Sequence, residues 1–133
     1  MVLSEADAQA NAPRILIVDD HEQNVELLEA YLEEVHARVE TAGDGMAALR
    51  AVQQQAPDLI LLDVMMPKMS GFQVAQKLRA AEATRHIPII MVTALGEVSD
   101  IERAQDLGIT DYLTKPVNKV DLLARVRAAL KLS

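Results

Sequence analysis

Residues 59–71 read LILLDVMMPKMSG. Leu59 to Leu62 have the unbroken apolar character of a strand buried on both faces, yet the run stops on Asp63 and passes into a loop holding Pro67 and Gly71. A carboxylate at the end of a buried strand is costly unless something offsets its charge. Whatever offsets it has to come from elsewhere in the chain.

On either side of this stretch, short apolar runs alternate with amphipathic ones. The strand candidates are RILIV (14–18), ARVET (37–41), DLILL (58–62), PIIMV (88–92) and DYLT (111–114). Helical spacing marks one face with Val25, Leu28, Leu32 and Val35, a second with Met46, Leu49 and Val52, and a third with Phe72, Ala75 and Leu78. Ile101, Ala104 and Leu107 mark a fourth, ended by Gly108, and Leu122, Leu123, Val126 and Leu130 a fifth. Strand then helix, repeated, predicts an α/β protein with a parallel sheet covered on both faces, because parallel strands need long crossovers. The first, third and fourth runs are the most continuously apolar and belong in the centre, whereas ARVET alternates as an edge strand would. The prediction is a flavodoxin-like, doubly wound (βα)5 fold with a five-stranded sheet in the order 2-1-3-4-5.

The chain has 133 residues, half of them apolar, which fits one domain over 13–133 preceded by a loosely ordered tail, 1–12. Thirteen Lys and Arg against 20 Asp and Glu give a net charge of −7, which disfavours direct binding to nucleic acid or to an anionic membrane. Without Cys there is neither a disulfide framework nor a thiolate metal site, and a cytoplasmic location is expected. The opening MVLSEADAQANA has no basic start and no apolar core, so it reads as neither a signal peptide nor a membrane span.

The candidate polar residues all follow the apolar runs at the same end. Asp19 and Asp20 close the first, Asp63 the third, Thr93 the fourth, and Lys115 with Pro116 the fifth. Singly, each has an ordinary reading as a helix cap, a turn residue or a solvated lysine. Together, in the predicted topology, they converge outside the carboxyl ends of the strands at the switch point, where ligands of such sheets bind. Three clustered carboxylates repel, and one must protonate unless cations neutralise them. Lys115 supplies one positive charge and a divalent ion two more. Oxygen ligands in a site open to water suit Mg²⁺. The chemistry that uses a carboxylate beside Mg²⁺ and a lysine is phosphoryl transfer to form an acyl phosphate, which makes Asp63 the candidate nucleophile. His21, His36 and His86 show no ligand-like spacing and read as surface or capping residues.

These residues resemble the receiver domain of two-component response regulators, of the single-domain chemotaxis type. VDD at 18–20, LLDVMMPKMSG at 61–71, VTA at 92–94 and LTKP at 113–116 stand in the family's order, and the likeness runs from Arg14 to Leu130. DDHEQNVELLEAYL at 19–32 and TRHIPIIMVTA at 84–94 are similar to receivers found alone or joined to nucleotide cyclases. The resemblance implies Asp63 as phosphoacceptor and a Mg²⁺ site made by Asp63, Asp20, Asp19 through a bound water, and the Met65 main-chain carbonyl. It implies that Thr93 binds the phosphoryl group and moves toward it, that Lys115 pairs with it, that Tyr112 is the switch aromatic, and that the Lys115–Pro116 bond is cis. Ser70 and Ile109 depart from the usual residues at their positions.

The implied partners are a histidine kinase or a His phosphotransfer protein and a downstream target protein. The implied switch surface is the fourth helix, fifth strand and fifth helix, with Arg103, Asp111, Asp121, Arg125 and Arg127 as candidate cross-interface charges of a homodimer. Activity beyond Mg²⁺-dependent self-phosphorylation and self-dephosphorylation is not expected. The competing readings are a receiver fragment of a larger regulator or hybrid kinase, and a metabolic enzyme on a related fold. A nucleotide-binding protein fits poorly, since DDHEQN lacks the glycines of a phosphate loop. A phosphatase fits poorly too, because Met65 stands where a second Asp would serve as general acid. Met65 and Leu95, the positions two after Asp63 and Thr93, are apolar and cannot orient a hydrolytic water, so a long-lived phosphoryl group is expected.

Overall fold

The computed structural model describes residues 12–94 and 98–131, with the side chains of 98–101 outside that description. Strands β1 (Arg14–Val18), β2 (Arg38–Ala42), β3 (Leu59–Asp63), β4 (Ile89–Thr93) and β5 (Asp111–Thr114) form one parallel sheet in the order β2-β1-β3-β4-β5. Helices α1 (Glu22–Leu32), α2 (Gly45–Gln54), α3 (Gly71–Ala80), α4 (Val98–Asp106) and α5 (Lys119–Leu130) follow the strands in turn.

Every residue of β1, β3 and β4 is buried because both faces of these strands are covered. Leu16, Val18, Ile60, Leu62, Ile89 and Met91 pack with Ala48 and Val52 of α2, Phe72, Ala75 and Leu78 of α3, and Ala104 of α4. On the other face Ile15, Ile17, Leu59, Leu61, Ile90 and Val92 pack with Leu28 and Leu32 of α1 and Leu122, Leu123 and Val126 of α5. The odd and even positions of one apolar run thus serve two separate layers. β2, on the edge, is largely exposed.

Helix starts are set locally. Asp44 Oδ1 accepts from the Ala47 N–H at 2.7 Å, Asn118 Oδ1 accepts from Asp121 at 3.0 Å, and Ser70 with Gln73 forms a reciprocal capping box at α3. Past the end of α4, Gly108 takes a φ of +64°, a left-handed conformation that glycine adopts without penalty.

Several features differ from the sequence expectation. β2, β3 and β4 begin and end one residue later than predicted, so Asp63 and Thr93 are the last residues of their strands rather than the first residues of loops. The parallel ladder carries on to pair Asp63 with Val92 and Thr93 with Thr114. Met46 is 54% exposed, because the stripe of α2 that faces the sheet runs through Gly45, Ala48 and Val52. Residues 1–11, Leu95 and the side chain of Ile101 lie outside the described residues.

One guanidinium joins three segments. Arg79 on α3 donates from Nε to the Leu107 carbonyl (2.9 Å), from Nη1 to those of Arg85 (2.9 Å) and Ile87 (2.8 Å), and from Nη2 to that of Gly108 (3.2 Å). It ties α3 to the approach to β4 and to the turn after α4.

Candidate functional site

The reversal of strand order between β1 and β3 opens a cleft at their carboxyl ends. Asp19 follows β1, anchored by its N–H to the Ala42 carbonyl at 3.1 Å, and is 3% exposed. Asp63 ends β3 at 2% exposure, and Thr93, at the end of β4, is fully buried. Asp20 is open to solvent. From the far side, the backbone N–H of Lys115 donates to the Thr93 carbonyl at 2.9 Å. The Lys115–Pro116 peptide is cis.

The Lys115 ammonium lies 3.2 Å from Asp19 Oδ2 and 3.5 Å from Asp63 Oδ2. Asp63 Oδ1 accepts from the Met65 N–H at 3.2 Å. Asp63 Oδ2 is buried and has no donor at hydrogen-bond geometry, and the Lys115 ammonium reaches it only as the longer ion pair. Burial raises the Asp63 pKa, and the neighbouring Asp19 charge raises it further. Lys115 and the Met65 N–H oppose that rise without cancelling it. The question set by LILLD is thereby answered: Asp63 is only partly offset by the protein, and an additional cation is what the site still calls for.

The expected residues Asp19, Asp20, Asp63, Thr93 and Lys115 come together at one end of the sheet. Met65 follows Asp63 closely, and its side chain is 59% exposed. Tyr112 is paired in register with Met91 and packs partly buried against the α2–α3–α4 face of the sheet. His21, expected at the surface or as a cap, is at the surface, with its side chain 64% exposed. It occupies the N-cap position of α1, but its side chain makes no capping bond. Instead its Nδ1 stands 3.1 Å from Asp20 Oδ1 and 3.4 Å from Asp19 Oδ1, and its backbone N–H donates to Asp19 Oδ1 at 2.8 Å. Asp19, Asp20, His21 and Asp63 each offer a donor atom, all within 4.8 Å of one another. The signal in the sequence was adjacency to the Asp19–Asp20 pair, which a search for paired histidines passes over. This donor set, with a buried and incompletely satisfied carboxylate oxygen at its centre, fits a divalent cation.

A family model described as the response regulator receiver domain matches residues 15–127. The response regulator PleD of Caulobacter vibrioides is 50% identical over 115 residues, which cover 86% of this chain and 25% of PleD. The DNA-binding dual master transcriptional regulator RpaA of Synechocystis is 46% identical over 119 residues, covering 90% of this chain and 49% of RpaA. The chain thus spans a quarter to a half of these regulators. Among solved structures, the chemotaxis protein CheY4 of Vibrio cholerae superposes with a TM-score of 0.84 at 31% identity, covering 90% of this chain and 99% of that one. The receiver domain of sensor histidine kinase PA1611 from Pseudomonas aeruginosa, described with a magnesium ion coordinated in its active site cleft, gives 0.82 at 32% identity, covering 90% and 98%.

Proposed function

The chain belongs to the response regulator receiver family, the phosphoacceptor module of two-component signalling, and on that premise we propose that Asp63 receives the phosphoryl group from a histidine kinase or a His phosphotransfer protein. The observation that carries this reading is the buried Asp63 Oδ2, held between Asp19 and Lys115 without a hydrogen-bond donor of its own. A carboxylate oxygen so placed is poorly solvated and available as a nucleophile. It attacks phosphorus as the P–N bond of the donor phosphohistidine breaks and the imidazole departs. Lys115 pairs with the resulting phosphoryl oxygens and Thr93 donates to one of them. Asp19, Asp20, Asp63 and the Met65 carbonyl would hold Mg²⁺, which when bound neutralises charge on the transferring group.

The receiver family is a signalling module rather than a conventional enzyme, so output comes from binding. The proposed readout is a shift at Thr93 and Tyr112 that alters the α4–β5–α5 face for a downstream protein. Within the chain Arg125 already binds Asp111 and, at 2.9 Å, Asp121, while the Arg103 guanidinium lies 4.1 Å from the centre of the Phe72 ring. A homodimer through this face would have these cations exchange partners. The net charge of −7 argues against direct nucleic-acid contact by this chain. Among the described residues no helix is long and apolar enough to cross a membrane, and the proposed setting is the cytoplasm.

The test is intact-mass spectrometry after incubation with a small acyl or amidophosphate donor. One phosphoryl addition is expected with Mg²⁺, and none in chelator or in Asp63→Asn. Equal labelling of the variant overturns the assignment.

A further inference from the structure

We infer that His21 is a nitrogen ligand in the cation site, so that the site prefers d-block divalent ions over Mg²⁺ by more than a carboxylate-only site does. The inference rests on the divalent site proposed above and concerns what sets its selectivity. His21 is 64% exposed on its side chain, so packing does not fix the ring. Its side chain leaves the capping bond of α1 unmade. The ring lies instead with Nδ1 at 3.1 and 3.4 Å from two carboxylates that face the cleft.

Four donor atoms within 4.8 Å of one another lie close to the span of a single ion, since two ligands on opposite sides of one are about 4.2 Å apart. A small rotation of the exposed imidazole is enough to close the difference. Mg²⁺ gains little from the nitrogen, because it favours oxygen ligands and retains its waters. Mn²⁺, Co²⁺, Ni²⁺ and Zn²⁺ accept imidazole readily, with affinity rising along the series as far as copper. The consequence is a receiver whose occupancy follows the supply of d-block ions as well as of magnesium. The same approach of Nδ1 to Asp20 also suits a ring N–H donating to the carboxylate, and the experiment separates the two.

Titration calorimetry of the chelator-stripped full chain measures Co²⁺ and Mg²⁺ affinity in wild type, His21→Asn and His21→Ala. The expected result is a fall of about tenfold or more in the Co²⁺ to Mg²⁺ affinity ratio in both variants, since loss of even an outer partner of a metal ligand costs about that much. Asn brings a capping side chain to that position and Ala does not, so a fall shared by both does not arise from fraying of α1. Proton NMR of the Co²⁺-loaded wild type should show a contact-shifted exchangeable imidazole resonance that His21→Asn lacks. An unchanged ratio, or no such resonance in wild type, overturns the role of His21 while leaving the Mg²⁺ site standing. Failure of Co²⁺ alone to bind wild type overturns the role of His21, and failure of both ions overturns both.

Discussion

The Lys115 ammonium stands 3.5 Å from Asp63 Oδ2, close enough to attract its charge and too far to satisfy it fully. Burial, followed by the Asp19 charge, therefore leaves Asp63 with a raised pKa. A carboxyl whose pKa is raised by folding contributes stability that is complete below its unfolded pKa and is lost as pH climbs through the folded value. As pH climbs through the folded value, ionisation of Asp63 consequently works against the fold. In metal-free buffer at about pH 7, Asp63→Asn is expected to melt about 2–5 °C higher than wild type, with the gap closing toward about pH 4. A calorimetric scan at both pH values decides it, and a variant that melts lower at neutral pH would refute the account.

Arg79 is expected to matter for stability although it touches no part of the site. Arg79→Ala removes one cation from four main-chain carbonyls and should cost about 2–3 kcal/mol in urea unfolding. Arg79→Lys should recover little, since an ammonium cannot reach the same fork of acceptors. Full recovery by lysine would show that charge alone is at work.

Gly71 begins α3 where the chain passes against the end of β3. A Cβ there would overlap the Asp63 carbonyl oxygen and lie 2.9 Å from both the Asp63 carbonyl carbon and Val64 Cα. These are backbone atoms and cannot step aside cheaply. Gly71→Ala is expected to destabilise the domain by about 3 kcal/mol and to slow phosphorylation of Asp63. Wild-type values for both the urea midpoint and the labelling rate would show that the backbone yields.

Phosphoryl lifetime is the fourth expectation. Met65, two residues after Asp63, is apolar and largely exposed, and Leu95 is the matching residue after Thr93. Met65→Asn combined with Leu95→Glu should shorten the decay of phospho-Asp63 severalfold after donor removal, by supplying groups that orient water. Equal decay in the two proteins would mean that these side chains do not set the lifetime.

Much of this was legible in the residues because the signals were local. RILIV and DYLT are strands over the residues expected, and the edge position of the second strand followed from its alternation. The five polar residues at the strand ends were legible because topology alone brings them together. The one-residue shift of β3 and β4 was not, since it depends on ladder pairing with neighbouring strands. Nor was the Arg79 clamp, whose acceptors include carbonyls 28 and 29 residues away and carry no side-chain signature. The approach of the His21 ring to Asp19 and Asp20 was not legible either, since it depends on how the ring turns, which spacing does not encode.

The open edge of the sheet has a bearing on what this chain can assemble with. Among the described residues no strand pairs with the outer side of β2 along Arg38–Ala42, and such an edge can template strand addition from another polypeptide. Arg38 and Glu40 put charges on that border, and Glu40 is held by Arg14 from the adjoining strand. A foreign strand docking there would have to bury or displace these ions. The opposite border is only four residues long. Strand addition is therefore disfavoured at both margins of the sheet, where it would have to bury charge on one side and would find only a short template on the other.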